Sequence, residues 1–369
     1  MSVSLRDELI AEIKSTPKQA ISFCKYMEQA LYHPRWGYYQ RNKNKLGRHG
    51  DFFTNAHVGE LFGQVLSLFF KDWLDKNPSL TEWTIAELGA GDGRIAEQFG
   101  QGLIAMGIPP DKISYYLVET SPWHQRLQKE RLSKSPINYQ LVYRLKDIPA
   151  SPFSFVYSNE LVDAFPVYRI KKEHGQFLEA CVTVSENKPY LKETWFPLSE
   201  DKWNRKDMDK WLAGLEEGKE MALCLAACDW LREIADWMNQ GVLLTIDYGG
   251  LQEQLLRKQK TVRGYRGHQV LDELYDAPGE TDLTYDVNFS HLINWGKEAG
   301  FGSFQFLTQS QFLMNAGILQ FLPTGPANDP FGKEAKRIRA IKQLIHPETM
   351  GEVFHVLIQT KNLPLAKNK

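Results

Sequence analysis

The chain is poor in cysteine, has no long apolar run and carries almost no net charge. Its four cysteines in 369 residues, Cys24, Cys181, Cys224 and Cys228, are too few for a disulfide framework and fit no zinc-ligand spacing. Cys224 and Cys228 stand one helical turn apart with no histidine nearby, which points to core packing rather than metal binding. The longest apolar stretches, such as Val65 to Phe70 and Met221 to Cys228, fall far short of the roughly 20 residues needed to cross a bilayer as a helix. With 44 Lys and Arg against 45 Asp and Glu, the formal net charge is -1. Such a balance gives no general attraction to nucleic acid or to an anionic membrane. The basic loop Arg41, Lys43, Lys45, Arg48 has no array of aromatics for stacking bases and reads as a solvated turn. At the N-terminus Arg6, Asp7, Glu8 and Glu12 interrupt the apolar residues, unlike a secretory or transit leader, so the expected location is cytoplasmic. No internal repeat or low-complexity tract is present.

What remains is an ordinary globular composition, 43% hydrophobic and 24% charged, long enough for a nucleotide-type fold with a substantial elaboration. Thr16-Pro17 reads as a helix start, with Ile21, Cys24, Met27 and Leu31 on one face and His33-Pro34 as the stop. Leu61, Val65, Leu68 and Trp73 mark a second helix over 60–73. From Trp83 onward short apolar runs alternate with helix-like stretches, the pattern of a parallel sheet with crossover helices. The predicted strands are 83–88, 115–118, 140–143, 155–158 and 242–246, with late strands at 303–307 and 353–360 and a helix over 288–299. About 80 residues separate the strand at 155 from that at 242, too many for one crossover. An insertion is therefore expected, opening with a hairpin turned at His174-Gly175 and ending in a helix over 221–238. The resulting expectation is an α/β, doubly wound, mostly parallel Rossmann-like sheet. Its core comprises 81–166 and 239–369, preceded by an N-terminal helical segment, 1–80, and interrupted by an α+β lobe, 167–238, acting as a cap.

The segment Glu87-Leu88-Gly89-Ala90-Gly91-Asp92-Gly93-Arg94 leads from an apolar strand through a glycine-rich turn into a helix, where a ligand can approach the backbone closely. A dinucleotide fingerprint would place a small residue at 94; the bulky Arg94 argues against it. The Glu-x-Gly-x-Gly-x-Gly pattern instead resembles the first motif of class I S-adenosylmethionine methyltransferases. That resemblance implies that Glu87, Gly89, Gly91 and Gly93 hold the methionine part of the cofactor. Glu119 closes the next apolar strand, where a carboxylate can accept hydrogen bonds from both hydroxyls of a ribose. Asp147, in a turn before Pro149, is a weaker candidate for the adenine end.

Further segments extend the likeness over nearly the whole chain. They are His33-Pro34-Arg35-Trp36-Gly37-Tyr38-Tyr39, Gly50-Asp51-Phe52-Phe53-Thr54, Ser158-Asn159-Glu160-Leu161-Val162-Asp163-Ala164-Phe165-Pro166-Val167, Ile246-Asp247-Tyr248-Gly249, Tyr265-Arg266-Gly267-His268, Thr281-Asp282-Leu283-Thr284 and His346-Pro347-Glu348-Thr349-Met350-Gly351. Together they resemble the MidA-type methyltransferase family, whose mitochondrial members are arginine methyltransferases assisting assembly of respiratory complex I. The sequence departs from the family at Asn55 to Glu60, where a Pro-Glu pair is usual, and at Ala90, where proline is frequent. The resemblance implies S-adenosylmethionine as cofactor, symmetric dimethylarginine as product, and a protein substrate, with a respiratory-complex subunit as the partner class. Read from the residues, Asn159 and Glu160 follow a strand and lie outside its carboxyl end, where open α/β sheets bind ligands. A guanidinium stays protonated and presents a planar fork that a carboxylate grips bidentately. The expected acceptor-side residues are Glu160, Asp163 and Asp51, with Asn159 beside the cofactor. Asp247 and His268 are weaker candidates, and Asp163 reads equally well as a helix cap. Two other functions stay open at this point: a non-catalytic assembly factor that binds the cofactor, and a methyltransferase acting on a small molecule.

Overall fold

The computed structural model describes residues 4–41, 58, 60–187, 190–198, 203–267, 269–271, 273–325 and 329–363. In chain order the first elements are α1 (Leu5–Ser15), β1 (Ala20–Ser22), α2 (Phe23–Tyr32), α3 (Phe62–Lys76), β2 (Trp83–Leu88), α4 (Arg94–Ala105), β3 (Tyr115–Val118), α5 (Pro122–Leu132), β4 (Tyr139–Val142) and β5 (Phe153–Asn159). There follow β6 (Tyr168–Glu173), β7 (Gln176–Val184), β8 (Leu191–Pro197), α6 (Arg205–Trp211), β9 (Glu220–Leu223), α7 (Leu225–Trp237) and β10 (Gly241–Gly250). The last are α8 (Gln252–Leu255), β11 (Val262–Arg266), β12 (Gln269–Leu271), β13 (Asp282–Tyr285), β14 (Val287–Asn288), α9 (Phe289–Glu298), β15 (Ser303–Thr308), α10 (Gln309–Asn315), α11 (Lys333–Ile345) and β16 (Phe354–Lys361).

The main sheet has the order β15-β16-β10-β5-β2-β3-β4, with β14 beside the end of β10. Strands β4, β3, β2, β5 and β10 run parallel, and β16 and β15 are antiparallel additions. Side chains alternate across a strand, and burial follows that alternation. Ala86, Leu88, Val156, Leu243 and Leu357 belong to one core, packed with residues of α1, α2, α7 and α9. Ile85, Phe155, Leu244 and Val356 belong to another, packed with α3, α4, α10 and α11. A sheet whose two faces feed separate cores is doubly wound, as the near-continuous apolar strands require. The chain passes from β2 outward to β3 and β4, then returns to place β5 on the other side of β2. This reversal opens a crevice beyond the carboxyl ends of β2 and β5, the place where such sheets bind ligands.

Three expectations need correction. Thr16 does not start a helix: it is the C-cap of α1, which begins with a Ser4–Asp7 capping box and buries Leu5, Leu9 and Ile13. The following helix starts at 23, capped by Ser22. Between them β1 pairs with β7, so part of the N-terminal segment is a strand of the sheet β1-β7-β6-β9, to which β8 adds. The turn at His174-Gly175 does join the β6–β7 hairpin. Residues 221–223, read as the start of a helix, instead belong to β9, which pairs with β6. Arg169 holds this sheet together from inside: its guanidinium forks Glu220 at 2.6 and 2.9 Å and pairs with Glu193.

Candidate functional site

The turn after β2 is built by three glycines in the left-handed region, Gly89 (φ 70°), Gly91 (φ 52°) and Gly93 (φ 77°), a conformation that costs other residues energy. Space is short as well. A Cβ on Gly89 would lie 2.8 Å from the Leu161 side chain, and one on Gly93 would lie 3.1 Å from Gln128. The turn is tied to the next strand, since Gly89 N–H donates to the Val118 carbonyl at 2.9 Å and Gly91 N–H donates to Glu119 Oε2 at 3.0 Å. Glu119 Oε1 accepts from Ser121 N–H at 2.8 Å, and Gln125 Nε2 donates to the Glu119 carbonyl at 2.7 Å. A carboxylate can accept about four hydrogen bonds, so these two backbone donors leave capacity for a diol.

Turn and carboxylate line a cavity of about 390 Å³. Glu87, Gly89, Gly91, Glu119, Asn159, Glu160 and Asp163, seven residues singled out from the sequence, all line it. Gly93 stands behind the turn as the N-cap of α4. Asp51 and His268 lie outside the described residues. Asp147 forms an exposed ion pair with Arg144 at 2.9 Å and is not among the residues lining the cavity, to which its chain neighbours Tyr143, Arg144 and Leu145 contribute. Glu87 faces the same side of the sheet as Tyr115 and Tyr157 and accepts from the Tyr115 hydroxyl at 3.3 Å. Burial pushes its carboxyl up to about 8, so it is predominantly protonated at neutral pH.

The acceptor side is the turn after β5. Glu160 sits at φ 52°, unusual for a residue with a side chain, and is anchored by its N–H to the Ile246 carbonyl at 2.9 Å. Asn159 Nδ2 donates to Glu160 Oε1 at 3.0 Å, so it orients the acid as well as lining the cavity. Asp163 lies in a single helical turn, Val162–Ala164, and is buried. Its Oδ2 accepts from the Tyr248 hydroxyl, while Oδ1 has no partner among the described residues. Burial raises the Asp163 carboxyl to about 6, against the opposing effect of the Tyr248 hydrogen bond. Asp247, fully buried, is absent from the residues lining the cavity. It accepts from the N–H groups of Val162 (3.0 Å), Asp163 (3.2 Å) and Tyr248 (3.0 Å) and thereby fixes the acid turn. Burial and the nearby Asp163 and Glu160 push its carboxyl upward.

Sequence reasoning gave no cavity role to the residues that complete the wall. Tyr32, Tyr38 and Tyr39 reach it from the N-terminal segment, Phe165 from the acid turn, Trp230 from α7, and Asp282 and Thr284 from β13. Tyr32 and Tyr39 stack with ring centres 5.6 Å apart. The Tyr32 hydroxyl donates to the Ala164 carbonyl at 2.9 Å, and that of Tyr39 donates to Asp282 Oδ1 at 3.0 Å. The motifs at 33–39 and 281–284 were visible in the sequence; what was missing was any sign that the chain brings them to one place.

Comparison with known proteins agrees with this geometry. Residues 65–307 match the model of a family described as S-adenosyl-L-methionine-dependent methyltransferases. Relatives named protein arginine methyltransferase NDUFAF7, mitochondrial, include that of Xenopus tropicalis, 30% identical over 95% of this chain and 84% of its own length. The human relative is 28% identical over 94% of this chain and 81% of its own length. A Burkholderia thailandensis protein crystallised with S-adenosyl-homocysteine bound superposes with a TM-score of 0.85 at 27% identity, covering 98% of this chain and 93% of that one. The mitochondrial names of the relatives overturn the expected cytoplasmic location. The charges from Arg6 to Glu12 belong to helix α1, whose start Asp7 caps together with Ser4. No helix among the described residues is long and apolar enough to cross a membrane. By its family match, its relatives and its doubly wound fold, the chain belongs to the MidA-type family of S-adenosylmethionine-dependent methyltransferases.

Proposed function

We propose that this methyltransferase acts on arginine in a partner protein, with a respiratory-complex subunit as the partner class. The observation that carries the reading is the sharing of one cavity by the glycine turn and by two acids, Glu160 and Asp163, among tyrosine and phenylalanine rings. An acidic, aromatic-lined wall suits a planar cation. The names of the relatives point the same way. In this reading Gly89, Gly91 and Glu119 hold the cofactor, with Glu87 and Asn159 beside them and Gly93 supporting the turn. Residues 81–166 and 239–369 form the catalytic core, 167–238 the inserted lobe, and 1–80 the N-terminal segment packing on the core.

The bound cofactor supplies a methyl group on a sulfonium, so the protein has only to place the nucleophile, exclude water and take up one proton. Glu160 orients the guanidinium through a charge-assisted fork. The Asp163 carboxylate takes the proton released from the nitrogen as its bond to carbon forms and the carbon–sulfur bond breaks. A carboxyl raised to about 6 remains ionised at neutral pH yet is more basic than an exposed aspartate. The test is Glu160→Gln, which keeps shape but loses the ionic fork. Affinity for S-adenosyl-homocysteine should be unchanged in calorimetry while methyl transfer falls by about two orders of magnitude or more. Equal loss of cofactor binding would assign Glu160 to the cofactor instead.

A further inference from the structure

Asp163 is not the cavity's only carboxylate held by a tyrosine. Asp282 in β13 is 2% exposed, lines the same cavity and accepts from the Tyr39 hydroxyl at 3.0 Å, as Asp163 accepts from Tyr248. The two pairs come from four separate elements and meet at Tyr32 and Tyr39. Both acids lie close enough to these two hydroxyls to raise them further above the usual tyrosine range, after burial. The stacked rings of Tyr32 and Tyr39 thus stand beside two buried acids.

A guanidinium carries five N–H donors, of which one carboxylate takes at most two in a fork. In a site shielded from water the remaining donors need acceptors, because an unmet buried donor costs about 1–3 kcal/mol. We propose that Asp282, oriented by Tyr39, is a second acceptor-binding carboxylate that receives the guanidinium together with Glu160 and Asp163. This rests on the arginine reading above and adds to it a specificity element contributed by β13. A primary ammonium, a compact charge with three donors and no planar fork, uses such a set of acids less well.

The experiment uses the full chain loaded with S-adenosyl-homocysteine and titrated, under NMR observation, with ethylguanidinium and with ethylammonium. The wild type should bind ethylguanidinium the more tightly. Asp282→Asn should weaken that binding about tenfold, the loss of one charge-assisted contact, with S-adenosyl-homocysteine affinity unchanged. Tyr39→Phe, which keeps the carboxylate but frees its orientation, should weaken it about threefold. Unchanged ethylguanidinium affinity in a folded Asp282→Asn protein overturns the second carboxylate and leaves the arginine reading standing. If Asp282→Asn does not fold, Tyr39→Phe decides, and wild-type affinity there overturns the proposal. A wild type that binds no ethylguanidinium, or prefers ethylammonium, removes the arginine reading and Asp282's role with it.

Discussion

Replacing Glu119 by glutamine separates the ligand-binding role of this carboxylate from its structural one. In the folded chain Oε2 accepts from Gly91 N–H at 3.0 Å and Oε1 from Ser121 N–H at 2.8 Å. Glutamine keeps one acceptor oxygen and turns an amide NH2 toward the other donor, so one backbone bond is lost at a cost of about 1–3 kcal/mol in unfolding free energy. The cofactor ribose loses an ionised acceptor, a further cost of about 1.5–3 kcal/mol in binding, or about 10- to 150-fold in Kd. The two effects are read separately by urea unfolding without ligand and by calorimetry with S-adenosyl-homocysteine. They meet in ligand-dependent stabilisation. Ligand at about 1,000 times the wild-type Kd stabilises that protein by about 4 kcal/mol, and at the same concentration stabilises a variant bound 100-fold more weakly by only about 1.4 kcal/mol. Wild-type affinity in a destabilised Glu119→Gln protein would refute the ribose assignment and leave Glu119 as a fastener between the glycine turn and α5.

The pH dependence follows from Asp163, whose carboxyl is raised to about 6. As pH falls below that value it becomes protonated and cannot take a proton, so the methyl-transfer rate should drop on an acidic limb near pH 6; a flat rate between pH 5 and 7 would contradict its role. The stability effect has the opposite direction, because a carboxyl raised on folding contributes stability that is complete below its unfolded value near 4 and is lost as pH rises through about 6. Asp163→Asn should therefore unfold at higher urea than wild type at pH 7, by about 1–3 kcal/mol, while losing activity. Arg169→Met leaves the half-buried Glu193 and Glu220 without their cation and should destabilise the protein by about 1–3 kcal/mol in urea unfolding. A change below about 1 kcal/mol there would show that water already screens the cluster.

The parallel core was legible because its strands are short, apolar and separated by amphipathic stretches; β2 and β3 have the boundaries read from the sequence. Local chemistry also revealed the glycine turn, since three left-handed positions demand glycine. The errors have physical causes. Thr16-Pro17 carries the signature of a helix start, but Leu5, Leu9 and Ile13 had already made a helix that ends there. Met221 to Cys228 reads as one apolar run, although its first residues are buried as the strand β9 against β6 and only the rest is helical. The site was half visible. Glu160 and Asp163 follow a strand directly and could be placed at the sheet edge, whereas Tyr39 and Asp282 meet across 243 residues, a pairing that no local pattern encodes. Asp247 was legible as a strand-end acid, but its work as a clamp on three backbone N–H groups depends on the position of the neighbouring turn.

The most direct test is the chemical identity of the methylated product. Wild-type protein is incubated with radiolabelled S-adenosylmethionine and a lysate of cells lacking the enzyme, the macromolecules are hydrolysed, and the amino acids are separated against standards. Label should appear in methylated arginine, with symmetric dimethylarginine as the end product, and should fall by about two orders of magnitude or more when Glu160→Gln replaces the wild type. Label in lysine, nucleotide or a small metabolite, with none in arginine, would contradict the acceptor assignment while leaving the methyltransferase itself intact.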